Sequence, residues 1–259
     1  MQRFSGKVAL VTGGTRNTGL AIVARLASEG AKVFACDLQV TPADAEALQA
    51  QGLGAVRAIP CDIADAAQVK ALFDVIEREA GRLDVLVNNA ADQGIGQGGP
   101  LAVAPEAMLA VLRTNVVGGF QVTQMACNRF FVKQESRGAV VFLSSNTARR
   151  AIRGRTSYCA SKGAINSLAR SLALDLGPLG VRVNVCAPGY IYTDRWETLD
   201  PAVAARRRRN CPLGREAKGA DVAGVVAFLA SDDSGCMTGE IVTCDSGCSC
   251  QHMPPDADC

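Results

Sequence analysis

A doubly wound α/β fold, with one parallel sheet of about seven strands and helices on both faces, is predicted by two features of the sequence. Short apolar runs alternate with helical stretches along the chain, and a glycine-rich turn stands where the first run hands over to the first helix. Lys7 to Thr12 is the first strand; after the turn Leu20, Ile22, Val23 and Leu26 recur at helical spacing up to Gly30, a helix-ending residue. Ala31 to Cys36 is the second strand and ends at Asp37; the third covers 54–60 and is followed by a helix over 65–80. Leu83 to Val87 makes the fourth strand, and helical stretches cover 105–111 and 115–134. Gly138 to Leu143 is the fifth strand, 157–176 a long helix, and Val181 to Cys186 the sixth strand. Beyond Pro188-Gly189 an irregular, arginine-rich segment runs to about Leu213; a helix over 220–230 and a strand at Glu240 to Cys244 complete the pattern. No repeat of fixed period is present, so one domain is expected over 1–247, with 248–259 as a loose tail containing cysteine and proline.

Composition narrows the function. The 259 residues include 27 basic and 25 acidic side chains, a net charge of +2 that gives no general attraction to nucleic acid or an anionic membrane. A small-molecule substrate is therefore expected. No apolar run approaches the eighteen or so residues of a spanning helix, and the opening apolar stretch breaks at Thr12-Gly13-Gly14, so a cytoplasmic protein is expected. Of the eleven cysteines, Cys36, Cys61, Cys127, Cys159, Cys186 and Cys211 fall in regular segments or at their ends and read as reduced core residues. Cys244, Cys248, Cys250, His252 and Cys259 lie around Pro254-Pro255 without the paired Cys-x-x-Cys knuckles of a zinc site, so no metal is expected.

The turn Thr12-Gly13-Gly14-Thr15-Arg16-Asn17-Thr18-Gly19 lies between strand and helix, where backbone N–H groups and the helix dipole favour a pyrophosphate. Asp37 ends the next strand, where a carboxylate can accept from a ribose diol. Further along, Tyr158 and Lys162 stand four residues apart on one helical face, and Ser145 precedes the tyrosine by thirteen residues. An ammonium about 4 Å from a phenol, at an effective dielectric of about 20, is worth roughly 4 kcal/mol. That would lower a phenol of ordinary pKa about 10 by up to roughly three units and make it a base near neutral pH.

With Asn88-Asn89-Ala90-Ala91 after the fourth strand, Asp62 after the third, Asn115, Pro188-Gly189 with Thr193, and Phe228 to Asp232, these residues resemble the short-chain dehydrogenase/reductase family over nearly the whole chain. Two positions depart from the family pattern: Asn17 and Ala91 stand where glycine is usual. Asn tolerates positive φ, but its side chain would sit where the backbone normally approaches phosphate, so a modest cofactor affinity is expected.

The resemblance implies a Rossmann-like fold and hydride transfer at a nicotinamide cofactor. Tyr158 would exchange a proton with the substrate oxygen, Ser145 would hold that oxygen, Lys162 would bind the ribose and lower the phenol's pKa, and Asn115 would secure a water beside the lysine. It also implies phosphate and ribose contacts at Gly13, Thr15, Arg16, Asn17, Thr18, Gly19, Asp37 and Leu38, and adenosine contacts at Asp62, Ile63, Asn88, Asn89, Ala90 and Ala91. Contacts near the nicotinamide would come from Tyr158, Lys162, Pro188, Gly189, Ile191 and Thr193. Asp37 would repel a 2′-phosphate whereas Arg16 would attract one; Asp37 lies closer to the ribose hydroxyls, so NAD is favoured over NADP.

The function expected is an NAD-dependent dehydrogenase of a secondary alcohol or its ketone, as a homotetramer by family resemblance. The alternative is an NADPH-dependent reductase of 3-oxoacyl thioesters. A dinucleotide sensor without turnover is disfavoured by the intact Ser145, Tyr158 and Lys162. Arg149, Arg150, Arg153 and Arg155, together with the run Arg206 to Arg209, suit an anionic substrate, although a charge run on a helix equally describes a solvated face. Tyr190, Tyr192 and Trp196 are the aromatics available to line a substrate pocket.

Overall fold

The computed structural model describes residues 2–50, 56–97, 99–193 and 196–252. Its strands are β1 (Val8–Thr12), β2 (Lys32–Asp37), β3 (Val56–Pro60), β4 (Val85–Asn88), β5 (Ala139–Leu143), β6 (Arg182–Pro188) and β7 (Ile241–Cys244). They form one parallel sheet in the order β3-β2-β1-β4-β5-β6-β7. The central runs of β1, β4 and β5 are buried throughout and carry no polar alternation because both faces are covered. Residues 54 and 55 of the expected third strand lie outside the described residues.

The helices are α1 (Asn17–Ser28), α2 (Pro42–Ala50), α3 (Ala66–Ala80), α4 (Pro105–Leu112), α5 (Gly119–Ala126), α6 (Thr156–Leu176), α7 (Pro201–Arg209) and α8 (Gly219–Ala230). In α3, Val69, Leu72, Phe73 and Ile76 are buried at helical spacing; the Asp65 carboxylate caps the N-terminus and Gly81, at φ 65°, ends the helix. Phe34, Phe73, Phe131 and Phe142 fill the core on one face of the sheet, and Ile22, Leu26, Val226 and Leu229 fill the other.

Three features differ from the sequence pattern. α2 was not expected; it opens with a reciprocal box in which Thr41 Oγ1 accepts from the Asp44 N–H at 3.2 Å and the Asp44 carboxylate accepts from the Thr41 N–H at 2.8 Å. α7 occupies the segment expected to be irregular: the Asp200 carboxylate accepts from the Ala202 N–H at 2.7 Å, Pro201 follows the cap, and four arginines sit in the last turn, where the helix dipole favours cations. The two helical stretches expected at 105–111 and 115–134 are joined, because π-helical turns at Arg113–Gly118 and Cys127–Phe131 continue α4 through α5.

β1 and β4 are adjacent although chain order reverses between them, which opens a crevice at the carboxyl ends of the strands.

Candidate active site

The segments expected to hold the cofactor and the catalytic groups lie on the loops and helices that follow β1 through β6, whereas Phe228 to Asp232 lies at the opposite end, where Asp232 pairs with Lys7 ahead of β1. The turn after β1 is closed from within. Gly13 takes φ 61°, and a Cβ there would come 2.8 Å from Ala90 Cα; a Cβ on Gly19 would come 1.8 Å from Gly13 O. Neither position can carry a side chain. Thr12 Oγ1 accepts from the Asn89 and Ala90 N–H groups at 3.0 and 3.1 Å, and Asn89 Nδ2 donates to Thr12 O and Gly13 O at 3.0 and 2.8 Å, so the turn is latched to the end of β4. Asn17 adopts φ 49°, the left-handed conformation of a residue type that tolerates it. Ala91 does not share that conformation. Arg16 makes no side-chain cap to α1, and no acidic residue stands in the helix's first turn, which leaves its N-terminus open to an anion.

Asp37 Oδ2 accepts from Thr15 Oγ1 at 2.8 Å and Oδ1 from the Leu38 N–H at 2.9 Å; a carboxylate has lone pairs remaining for a diol. Asp62 Oδ1 accepts from the Ala64 N–H at 2.8 Å, and Ile63 is buried against Gly118. Asn88 departs from expectation: its Nδ2 donates to Thr123 Oγ1 at 2.9 Å, which turns the side chain onto α5 rather than under a ribose. Successive strand residues face opposite ways, and Asn89, not Asn88, is turned toward the glycine-rich turn.

At the other end, Ser145 follows β5, and Tyr158 and Lys162 share a face of α6. Ser145 Oγ accepts from the Thr147 N–H at 3.2 Å, so its own proton remains available, and its hydroxyl favours the ionised form of the Tyr158 phenol. Lys162 Nζ donates to Leu143 O at 2.7 Å and lies 5.4 Å from the Tyr158 ring centre. Ser144 Oγ donates to Lys162 O at 3.0 Å, tying β5 to α6.

The expected effect of Lys162 on the phenol requires correction. Burial raises the Tyr158 pKa; the Ser145 hydrogen bond and the Arg155 charge pull it down, while the Cys159 thiolate would raise it further. Burial also pushes Lys162 down to about 8. Burial thus moves the two groups in opposite senses, the phenol up and the ammonium down, which weakens the effect expected of the lysine on the phenol.

Asn115 lies in the first π-helical turn, and its side chain is fully engaged: Oδ1 accepts from the Asp92 N–H at 2.7 Å, and Nδ2 donates to Asp92 O and Ser161 Oγ at 2.8 and 2.9 Å. It braces the loop after β4 against α6. Arg155 does the same from the start of α6, with Nη1 2.9 Å from Gln93 O, and Ser157 Oγ donates to Gln97 Oε1 at 2.8 Å. Beyond Asn89, Ala90 and Ala91, this loop carries no role in the sequence pattern.

On the last loop, Gly189 donates to Cys244 O at 3.1 Å, and a Cβ there would come 2.5 Å from Asp245 Cβ. Ile191 bridges to Ala217 and accepts from Trp196 Nε1 at 2.7 Å; Thr193 O accepts from the Trp196 N–H at 2.7 Å. Trp196 packs with Tyr190 and Tyr192, and Arg207 lies over the Tyr190 and Trp196 rings, 5.5 Å from each. Arg208 grips Glu216 with two bonds of 2.8 and 2.9 Å, while Arg150 donates to Cys248 O and to Gln251 O. The fold thus employs Arg150, Arg155, Arg207 and Arg208 itself. Cys248 is buried and bonded to Asn210, so the start of the expected loose tail is docked; Cys259 lies outside the described residues.

An open helix N-terminus at the switch point, a strand-end carboxylate, and a Ser145-Tyr158-Lys162 group across the same crevice define a dinucleotide-binding α/β oxidoreductase. The chain belongs to the short-chain dehydrogenase/reductase family: the family described as Enoyl-(Acyl carrier protein) reductase matches residues 13–249. The 3-oxoacyl-(acyl-carrier-protein) reductase FabG of Thermotoga maritima is 36% identical over 247 residues, 95% of this chain and 98% of that one. D-threitol dehydrogenase of Mycolicibacterium smegmatis is 36% identical over 251 residues, covering 95% and 94%. The solved structure of levodione reductase superposes with a TM-score of 0.88 at 31% identity, covering 96% of this chain and all of that one.

Proposed function

We propose that the protein interconverts a ketone and a secondary alcohol with Tyr158 as the proton donor and acceptor; the grouping of Ser145 after β5 with Tyr158 and Lys162 on one face of α6 carries this reading. A nicotinamide dinucleotide, when bound, supplies or takes up the hydride. Gly13, Thr15, Asn17, Thr18 and Gly19 would hold its pyrophosphate at the open N-terminus of α1, and Asp37 the adenosine ribose. Ser145 would donate to the substrate oxygen and to the phenol in turn. Tyr158, oriented by that bond, would give its proton to a carbonyl oxygen as the alcohol forms, or remove it in oxidation. Lys162 would stand beside the phenol and the nicotinamide ribose, and Asn115 would keep α6 and the loop after β4 in register.

On substrate, the name of the Thermotoga maritima relative supports the alternative drawn from the sequence, a 3-oxoacyl thioester, and we place it first. A polyol or other secondary alcohol stands second, favoured by the D-threitol dehydrogenase at equal identity. On cofactor, the Asp37 carboxylate beside Thr15 supports NAD. Self-association is supported by Leu109, Val117 and Phe120 along the α4–α5 rod and Leu174 on α6, all exposed.

Nicotinamide absorbance followed with NAD(H) and NADP(H) over 3-oxoacyl thioesters, polyols, hydroxy acids and hydroxysteroids tests the reading. We expect turnover of a 3-oxoacyl thioester and loss of at least about 10³-fold in kcat for Tyr158→Phe with cofactor binding kept. Turnover by the phenylalanine variant within about tenfold of the natural chain would refute Tyr158 as the proton donor.

A further inference from the structure

Arg16 stands at the mouth of the crevice, its side chain 54% exposed, and its guanidinium is shared among acceptors from the turn after β2 and from α2. Nη2 donates to Gln39 O at 3.2 Å and lies 3.7 Å from Asp44 Oδ2, while Nε lies 3.8 Å from Asp37 Oδ2. Asp44 is itself fixed. Its Oδ2 accepts from both the N–H and the hydroxyl of Thr41 at 2.8 Å, and its own N–H donates to Thr41 Oγ1. Those Thr41 bonds first, then the Arg16 charge, hold the Asp44 carboxyl below its usual range. The carboxylate is a fixture of the α2 cap rather than a mobile surface charge.

We propose that Asp44 is a specificity-determining residue: it draws Arg16 against the start of α2 and cancels its charge, so that the arginine does not serve a 2′-phosphate on the adenosine ribose. This rests on the dinucleotide reading given above. Asp37 faces the ribose and repels such a phosphate, but one arginine within reach could offset one carboxylate. With Asp44 in place, two carboxylates meet one guanidinium, and a net negative charge stands where a phosphate carrying about −1.5 to −2 would have to sit. Discrimination against NADP is thereby divided between a residue at the ribose and a residue on the neighbouring helix that immobilises the only basic side chain of the turn.

Calorimetric titration with 5′-AMP and 2′,5′-ADP tests this without turnover, because both probes carry the adenosine end alone. Asp44→Asn removes the charge and keeps an acceptor for Thr41, so the α2 cap survives. We expect it to bind 2′,5′-ADP about fivefold to tenfold more tightly, with 5′-AMP unchanged within about twofold. Arg16→Ala in the otherwise natural chain is expected to leave 2′,5′-ADP binding within about threefold, because the guanidinium is already engaged. Combined with Asp44→Asn, it should abolish the gain. An unchanged affinity of Asp44→Asn for 2′,5′-ADP, or a loss of more than about tenfold from Arg16→Ala alone, overturns the proposal while 5′-AMP binding keeps the dinucleotide reading standing. Binding of neither probe to the natural chain overturns both.

Discussion

At the adenosine end of the crevice the charged groups are partly exposed and answer one another, Arg16 facing Asp37 and Asp44, whereas at the catalytic end Lys162 is 2% exposed and its ammonium donates to the carbonyl of Leu143 rather than to a carboxylate. The two ends use charge differently. Partly exposed pairs are screened and contribute little to stability, so their members can be exchanged to adjust ligand choice at small cost to the fold. A buried ammonium without a counter-ion is costly to fold around, and burial moves its pKa toward the working range. Under the proposed function, selectivity belongs to the solvated end and proton chemistry to the dry end.

Three substitutions sharpen or break this contrast. The largest effect is expected from Ser145→Ala, which should lower kcat about 10²-fold. Because the Ser145 bond favours the ionised phenol, its loss raises the Tyr158 pKa, and the acid limb of alcohol oxidation should move to higher pH. A pH profile that stays in place, whatever the rate, would remove Ser145 from tuning the phenol. Next is Lys162→Met, expected to stabilise the fold. Lys162 holds its proton less well folded, at about 8 against an ordinary 10.5, so its destabilising effect is full below pH 8 and fades as the pH rises to 10.5. That difference corresponds to about 3 kcal/mol at neutral pH, offset by about 1 for the bond lost to Leu143. Urea unfolding should show the gain at pH 7 and its disappearance near pH 10.5; a pH-independent difference would mean that the lysine is not buried as a charge. The smallest effect belongs to the solvated end: Asn17→Gly should tighten cofactor binding about threefold, by removing a side chain from the turn and relieving its left-handed backbone. Weaker binding would show that the Asn17 side chain itself serves the cofactor.

The sheet was legible because strands covered on both faces, such as Val8 to Val11 and Val140 to Leu143, are continuous apolar runs that periodicity cannot miss. α2 and α7 were not, since neither shows an apolar stripe; their announcements were local, Thr41 with Asp44 and Asp200 with Pro201, and capping signals of that kind are easily passed over beside a hydrophobic pattern. Tyr158 and Lys162 could be set side by side from helical spacing, while Ser145 joined them through the family resemblance. The orientation of Asn88 could not be foreseen, because a run buried on both sides conceals which residues face which layer. Nor could the pKa order of Tyr158 and Lys162: spacing tells that two groups are neighbours, but desolvation depends on what the rest of the chain packs around them.

The contact between Gly13 and Gly19 has a consequence for how this protein can diverge. Gly13 and Gly19 have no space for even a methyl group, so a side chain at either would disrupt the strand-to-helix junction. Under the proposed function, nucleotide choice would then rest with side chains that project from the turn's rim and with the helix beyond the second strand, positions that can change without endangering the junction. Fold inheritance and cofactor adaptation are separated within a span of some thirty residues.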